Sequence, residues 1–315
     1  MEEALPLIKV SEPTVQMNFG TNTSPFAGKE GQFVTGRKIE ERLFRETQRD
    51  VSLRINRVDN KEEWIVSGRG ELHLSILIEN LRREGFEFQV SRPRVILKEI
   101  DGVINEPYEY VQVDVPDEYI GSAIEMFGNR RGNLEGMNSK DGQTRLIYTI
   151  PSKGLIGFMT DFLTATHGYG IINHTFLEYR PVQPDVFMGR KLGVLVSINQ
   201  GMATTYACGG VEDRGELLIE PGIMVYEGMI VGICNREEDL AVNITREKQM
   251  TNQRSATKDS TTVLKKPRVF SLENYLSFID EDELVEVTPN SIRLRKMILD
   301  TVERKKYDST KLKKH

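Results

Sequence analysis

Hydrophobic and polar positions in the first hundred residues predict strands and helices in the order β-α-β-β-α-β. Strands with a two-residue period or a short apolar run are predicted at 15–19, 51–58, 63–67, 86–90 and 95–99. The clearest helix covers residues 71–83, since apolar side chains recur there at i, i+3, i+4 and i+7: Leu74, Leu77, Ile78 and Leu81. Residues 35–49 form the other predicted helix.

The next segment repeats this order. Its predicted strands lie at 108–115, 133–137, 145–150 and 171–179, and its predicted helices carry the apolar sets Ile120, Ala123, Ile124, Phe127 and Leu155, Phe158, Met159, Phe162. A split βαβ unit places four antiparallel strands on one side and two helices on the other. We therefore predict two ferredoxin-like domains, at residues 1–97 and 98–184.

Beyond residue 184 the pattern changes to short Val/Ile/Leu runs that recur about every ten residues between glycine turns. This pattern is typical of an antiparallel β domain, which we assign to residues 185–315. One helix is predicted from the shared face of Leu272, Tyr275, Leu276 and Ile279, and residues 291–315 are predicted to be a helix or tail. The predicted fold class is α+β: two successive ferredoxin-like βαββαβ domains, then a β-rich C-terminal domain with one or two helices.

Composition narrows the class of protein. The chain has 315 residues, 38% of them hydrophobic, so it can form ordinary globular cores. Its two cysteines, Cys208 and Cys234, argue against a disulfide framework or a structural zinc site. Without an export signal or an apolar run of about 18 residues, we expect a cytoplasmic protein with no membrane partner.

Charge is segregated within the third region, although the whole chain carries a net −5. Residues 246–268 hold seven basic and two acidic side chains and, over most of their length, lack hydrophobic periodicity. Cations interleaved with amides and hydroxyls suit a phosphate backbone. We predict a long RNA-binding loop whose candidate contacts are Arg246, Lys248, Asn252, Arg254, Lys258, Lys265, Lys266 and Arg268; the alternative is a solvated loop.

Three residues of the second domain are further candidates for RNA binding. Arg130 and Arg131 follow a predicted helix, where they could compensate the helix dipole or contact phosphate. His167 precedes Gly168 at another helix end, where it could cap the dipole or stack on a base. The sequence leaves both alternatives open.

Catalytic and nucleotide-binding motifs are not found in the sequence. It has no G-x-x-x-x-G-K-[ST] run, and residues 60–63, Asn-Lys-Glu-Glu, lack the aspartate of N-K-x-D. Glu71 and His73 are two apart and should point to different faces of one helix. We predict no catalytic, nucleotide or metal site and no cofactor. The rival hypothesis is an enzyme that uses Glu71, His73 or His167 as acid–base groups.

Longer motifs resemble a known family. SGRGELHLSI at residues 67–76 resembles domain III of the translational GTPases, and RRGNLEGM at 130–137 with GLIGF at 154–158 resembles their domain V. The details are most similar to the BipA/TypA ribosome-associated GTPases, in the segments SPFAG at 24–28, TNQR at 251–254, KKPR at 265–268 and IDEDELVEVTP at 279–289.

The resemblance implies a parent protein that hydrolyses GTP on the ribosome. In that family a GTP-binding domain and a β-barrel domain precede domain III, so we expect this chain to be the C-terminal portion, monomeric and without bound GTP or Mg²⁺. Domain V is expected to approach rRNA, and the C-terminal domain the acceptor end of A-site tRNA. The family is linked to stress adaptation and ribosome assembly. A scaffold or dimerisation module of an elongation factor G paralogue is the alternative.

Overall fold

The computed structural model describes residues 12–183, 190–247 and 264–312, and it begins with a ferredoxin-like unit. Its elements are β1 Val15–Gly20, α1 Gly36–Thr47, β2 Arg54–Arg57, β3 Glu63–Gly68, α2 Glu71–Arg83 and β4 Phe88–Ser91. The strands pair antiparallel in the order β4-β1-β3-β2. Both helices bury their apolar faces in the same core as the inward residues of the sheet, such as Phe19 and Trp64. The predicted first unit is confirmed.

One predicted strand of this unit is too long. The alternation at 51–58 suggests eight residues, but β2 covers Arg54–Arg57 alone. The Asp50 carboxylate accepts hydrogen bonds from the Ser52 amide at 2.8 Å and from its hydroxyl at 2.5 Å. Such local bonds hold the chain in a turn, and Val51 is consequently 75% exposed.

The second unit has the same topology. After the short strand β5 Arg94–Val95, its elements are β6 Lys98–Ile100, β7 Val103–Pro116, α3 Ile120–Asn129, β8 Asn133–Lys140, β9 Gln143–Pro151, α4 Ser152–Leu155, α5 Phe158–Ala165 and β10 Ile171–Pro181. β5 pairs with β1 and β6 with β7, while the four main strands follow the order β10-β7-β9-β8. The single helix predicted around 155–162 is in fact two, because the chain turns at Gly157, whose φ is +69°.

The third region contains mostly short strands. Its elements are β11 Val194–Ser197, β12 Gly201–Met202, α6 Thr205–Val211, β13 Gly215–Leu217, β14 Met224–Val225, β15 Met229–Cys234, β16 Leu240–Val242, α7 Leu272–Phe278, β17 Glu283–Val287, β18 Ile292–Lys296 and α8 Thr301–Leu312. The α+β class is thereby confirmed, with α6 as an additional helix. The prediction of a helix or tail from 291 is wrong for β18. No helix in the described ranges is long and apolar enough to cross a membrane.

A continuous sheet joins the first unit to the third region. β17 pairs antiparallel with β4, from Leu284 opposite Ser91 to Val287 opposite Phe88. Buried Glu286 on β17 accepts hydrogen bonds from Ser24 Oγ at 2.9 Å and Tyr226 Oη at 2.7 Å. The two regions therefore share backbone and side-chain bonds, whereas the domain boundaries near 97 and 184 stay predictions.

Candidate nucleic-acid interface

The structure describes both ends of the predicted RNA-binding loop. Arg246 lies at one end, and Lys265, Lys266 and Arg268 lie at the other. The four remaining candidates fall outside the described residues: Lys248, Asn252, Arg254 and Lys258.

The helix α6 separates the two ends. Thr204 caps α6 by accepting the Ala207 amide at 3.1 Å, and its hydroxyl donates to the Arg246 carbonyl at 2.5 Å. Beyond the other end of α6, Glu212 Oε1 accepts the Lys265 amide at 2.7 Å. At 1.5 Å per residue, the two attachment points are on the order of 12 Å apart along the helix. Both ends are therefore fixed by backbone hydrogen bonds to a folded element.

The cations at these ends differ in their partners. Arg246, Lys265 and Lys266 are exposed, and within the described residues none of them forms an ion pair with a carboxylate. Arg268 lies 3.5 Å from Glu216 Oε2, and its guanidinium lies 5.3 Å from the Phe270 ring centroid. Both members of the Arg268 pair are exposed, so the pair is weak. Three cations are thus available to an external anion.

An exposed aromatic side chain on α6 was not predicted from the sequence. Tyr206 lies on α6, two residues after the Thr204 cap, and is 47% exposed. The helix was missed because Gly209 and Gly210 lower helix propensity by about 1 kcal/mol each. The local signal for this helix in the sequence is Thr204, because threonine is a preferred residue at helix N-caps. Aromatic faces and cations together suit unpaired nucleobases.

The two arginines of the second unit have different surroundings. Arg130 Nη1 donates to the carbonyls of Ile156 at 2.9 Å and Gly154 at 3.4 Å, and Nη2 lies 3.6 Å from Asp161. These bonds hold the turn between α4 and α5, in agreement with a structural role. Arg131 Nη1 donates to Gln183 Oε1 at 3.3 Å. RNA contacts by either arginine stay predictions.

His167 forms an aromatic cluster with Tyr169, which is exposed like His167 itself, and with half-buried Tyr119. It follows α5 with a φ of +48°, and its ring centroid lies 5.8 Å from that of Tyr119. The Tyr119 and Tyr169 rings are nearly parallel, with centroids 6.5 Å apart. This geometry is compatible with base stacking, and it leaves the helix-capping alternative open.

The acid–base candidates are not gathered into one site. Glu71 Oε2 accepts the Gly157 amide at 2.6 Å, His73 Nε2 lies 2.8 Å from Asp50 Oδ2, and His167 packs near Tyr119. Because each has different partners, the described structure gives no support to the enzyme hypothesis.

Comparison with known proteins gives matches along most of the chain. Residues 34–92 match the family model for elongation factor G domain III, residues 103–189 the model for the elongation factor G C-terminus, and residues 192–301 the model for the TypA/BipA C-terminal domain. A solved structure from Thermus thermophilus covers 58% of this chain and 44% of its own at 16% identity and a TM-score of 0.38, too distant to inform the fold.

Curated relatives extend this similarity to nearly the whole chain. The protein named large ribosomal subunit assembly factor BipA from Bacillus subtilis is 58% identical over 306 residues, which is 97% of this chain and 50% of the relative. Its namesake in Synechocystis is 52% identical over 94% of this chain and 49% of the relative. The protein of the same name from Haemophilus influenzae is 50% identical over 98% of this chain and 50% of the relative. The chain spans about half the length of the curated relatives it matches. Taken together, the three domain matches and these relatives fit the C-terminal part of the BipA/TypA proteins.

Proposed function

We propose that this chain is the ribosome-binding region of a BipA/TypA-type translational GTPase and that it contacts rRNA and the acceptor end of A-site tRNA. The principal support is the position of three exposed cations at the two ends of α6: Arg246 at one end, and Lys265 and Lys266 at the other. None of the three has a carboxylate partner among the described residues. The relatives' name, large ribosomal subunit assembly factor, supports a ribosomal partner.

The physical basis of binding is electrostatic. Cations that neutralise phosphates release condensed counterions, which gives affinity without sequence specificity. Fixing Arg246 and Lys265 to α6 lowers the entropy lost on binding. Tyr206 supplies a face on which an unpaired base can stack. In the second unit, the cluster of Tyr119, His167 and Tyr169 provides a further stacking surface for rRNA.

Catalysis belongs to a different part of the parent protein in this proposal. GTP and Mg²⁺ bind the GTPase domain of the family, and this chain binds neither. It acts as a monomer in the cytoplasm and serves ribosome assembly and stress adaptation through ribosome contact alone.

Ribosome co-sedimentation over a salt series tests the proposal. The triple variant Lys258→Ala, Lys265→Ala, Lys266→Ala should bind more weakly, and each lost phosphate contact should lower the log–log salt slope by about 0.9 or less. A control with the same charge change replaces three exposed lysines elsewhere, Lys61, Lys140 and Lys191, and should retain affinity. Equal affinity and slope for the triple variant and the unmodified chain would contradict the proposal.

A further inference from the structure

Three parts of the molecule meet at Gly157, the turn between α4 and α5. Glu71, the first residue of α2 in the first unit, accepts the Gly157 amide at 2.6 Å. On another side, Ser277 of α7 lies so close that a Cβ on Gly157 would approach its Cβ to 2.7 Å. The Glu71–Gly157 bond joins residues 86 apart and connects the first unit directly to the second.

The other oxygen of Glu71 lacks a protein partner. Oε1 is buried and accepts no hydrogen bond within the described part of the chain. Glu71 lines a cavity of about 70 Å³ between the two units. Ser152 also lines this cavity, and its buried Oγ has no hydrogen-bond partner among the described residues either. A cavity of this size has room for water, although its walls are mostly apolar. An ionised Glu71 would therefore have one oxygen buried without a protein partner beside a small, mostly apolar cavity.

Charged groups from several elements act on this carboxyl. The pKa of Glu71 is raised to about 7, chiefly by burial and to a smaller extent by Glu273 on α7. The Gly157 amide, Arg130 after α3 and Arg92 after β4 oppose this rise, as does the dipole of α2.

The cavity wall also includes His174 of β10, which is paired with Glu109 of β7. The hydrogen bond that His174 donates to the Glu109 carboxylate raises the pKa of His174. His174 is thus a second group whose titration a test must separate from that of Glu71.

We propose that the Glu71 carboxyl and the cavity beside it form a proton-sensitive latch between the first and second units, closed when Glu71 is protonated and loosened when it ionises. The direction follows from linkage: the closed latch binds the proton more tightly than an open, hydrated one, so rising pH shifts the equilibrium towards the open form. Opening exposes Gly157 and frees the second unit to change its orientation relative to the first.

Amide hydrogen exchange at Gly157 in the full chain tests the latch. Between pH 6 and 8, exchange should accelerate about tenfold beyond the increase that hydroxide catalysis produces alone. Glu71→Gln keeps an acceptor for the amide but cannot ionise, and should remove this excess. The buried strand residues Val111 and Ile150 of the second unit serve as internal controls and should show no excess.

Two further variants separate the alternatives. His174→Gln cannot titrate and should keep the excess; if it abolishes the excess while Glu71→Gln retains it, the latch depends on His174 and the proposal is wrong. Spin labels at Val51→Cys and Met137→Cys, both exposed sites, should report a distance distribution that broadens with pH in the unmodified background and stays fixed with Glu71→Gln. The proposal would also be overturned if, in the unmodified background, the distance between the spin labels did not change with pH and the Gly157 amide showed no acceleration beyond hydroxide catalysis.

Discussion

At the scale of single residues, a buried carboxylate in the third region is stabilised by the cations that pair with it. Glu283 on β17 is fully buried, and its carboxylate accepts two bonds from Arg190, both at 2.9 Å, and one from Lys296 at 2.8 Å. A buried carboxylate is costly unless it is paired and hydrogen-bonded. Of the acidic side chains at 280–286, Glu283 and Glu286 are therefore buried within β17, whereas Glu281 before the strand is exposed.

Acid should weaken the third region through Glu283. Burial acts to raise the pKa of Glu283, but the bonds from Arg190 and the charge of Lys296 more than compensate and hold it below its ordinary value of 4.5. The stabilisation is therefore present above pH 4.5 and lost as the pH falls through the lowered pKa. In urea unfolding at pH 7, Glu283→Gln should lower the free energy of unfolding by on the order of 3 kcal/mol.

The pH profile and a neighbouring carboxylate provide the controls for this prediction. Below pH 4.5 the stability of Glu283→Gln should fall less steeply than that of the unmodified chain. Exposed Glu281 is the matched site, where the same change should alter stability by about 0.5 kcal/mol or less. Parallel acid profiles for Glu283→Gln and the unmodified chain would show that Glu283 does not contribute.

At the scale of elements, the division between α4 and α5 positions the second unit against its neighbours. The spacing of Leu155, Phe158, Met159 and Phe162 predicts an uninterrupted helix, and Phe158 and Phe162 are buried as that spacing requires. The break occurs because Arg130 binds the carbonyls of Gly154 and Ile156, while Glu71 binds the Gly157 amide. Long-range polar contacts thus override a local helical pattern.

Gly157→Ala should destabilise the chain for two separable reasons. A side chain at a φ of +69° is strained, and its Cβ would clash with Ser277. Gly142 has a φ of +79° with no atom within 4 Å of an added Cβ, so Gly142→Ala measures strain alone, about 1 kcal/mol. Urea unfolding should show a loss for Gly157→Ala larger by about 1–3 kcal/mol. Equal losses at the two positions would mean that Ser277 moves aside without cost.

At the scale of the whole molecule, the described residues form cores that cross the predicted domain boundaries. One core combines Trp64 and Phe88 of the first unit with Leu276, Val285 and Leu294 of the third region. The second unit has its own core, around Phe127 and Phe162. The first unit and the third region are therefore expected to unfold together, although the second unit lies between them in sequence.

Urea unfolding followed with two probes tests this cooperativity. Trp64 is the single tryptophan and reports the first unit, while Cys208 and Cys234 are the two cysteines, are buried, and report the third region. Tryptophan fluorescence and thiol reactivity should change at the same urea concentration, because two-state units give coincident transitions. Thiols that react at clearly lower urea would show that the third region unfolds independently.

How far the sequence predicts this structure depends on the range of the contacts involved. The helix predicted at 71–83 coincides with Glu71–Arg83, because its apolar face repeats within a few residues. β17 was not among the predicted strands, because what stabilises its buried Glu283 lies elsewhere in the chain: Arg190 is 93 residues from Glu283. Of the RNA-binding candidates, the sequence predicts the cations, but it does not reveal that α6 separates their two attachment points.

The amino-acid sequence by itself determined the two βαββαβ repeats, the segregation of positive charge into residues 246–268 and the family resemblance. All three depend on local periodicity, composition and contiguous motifs. Only the tertiary structure decided that β17 extends the first sheet, that Arg130 supports a turn, and that Glu71 faces a cavity between two units. These properties follow from which distant groups become neighbours in space, and from the cost of burying polar atoms that have no partner.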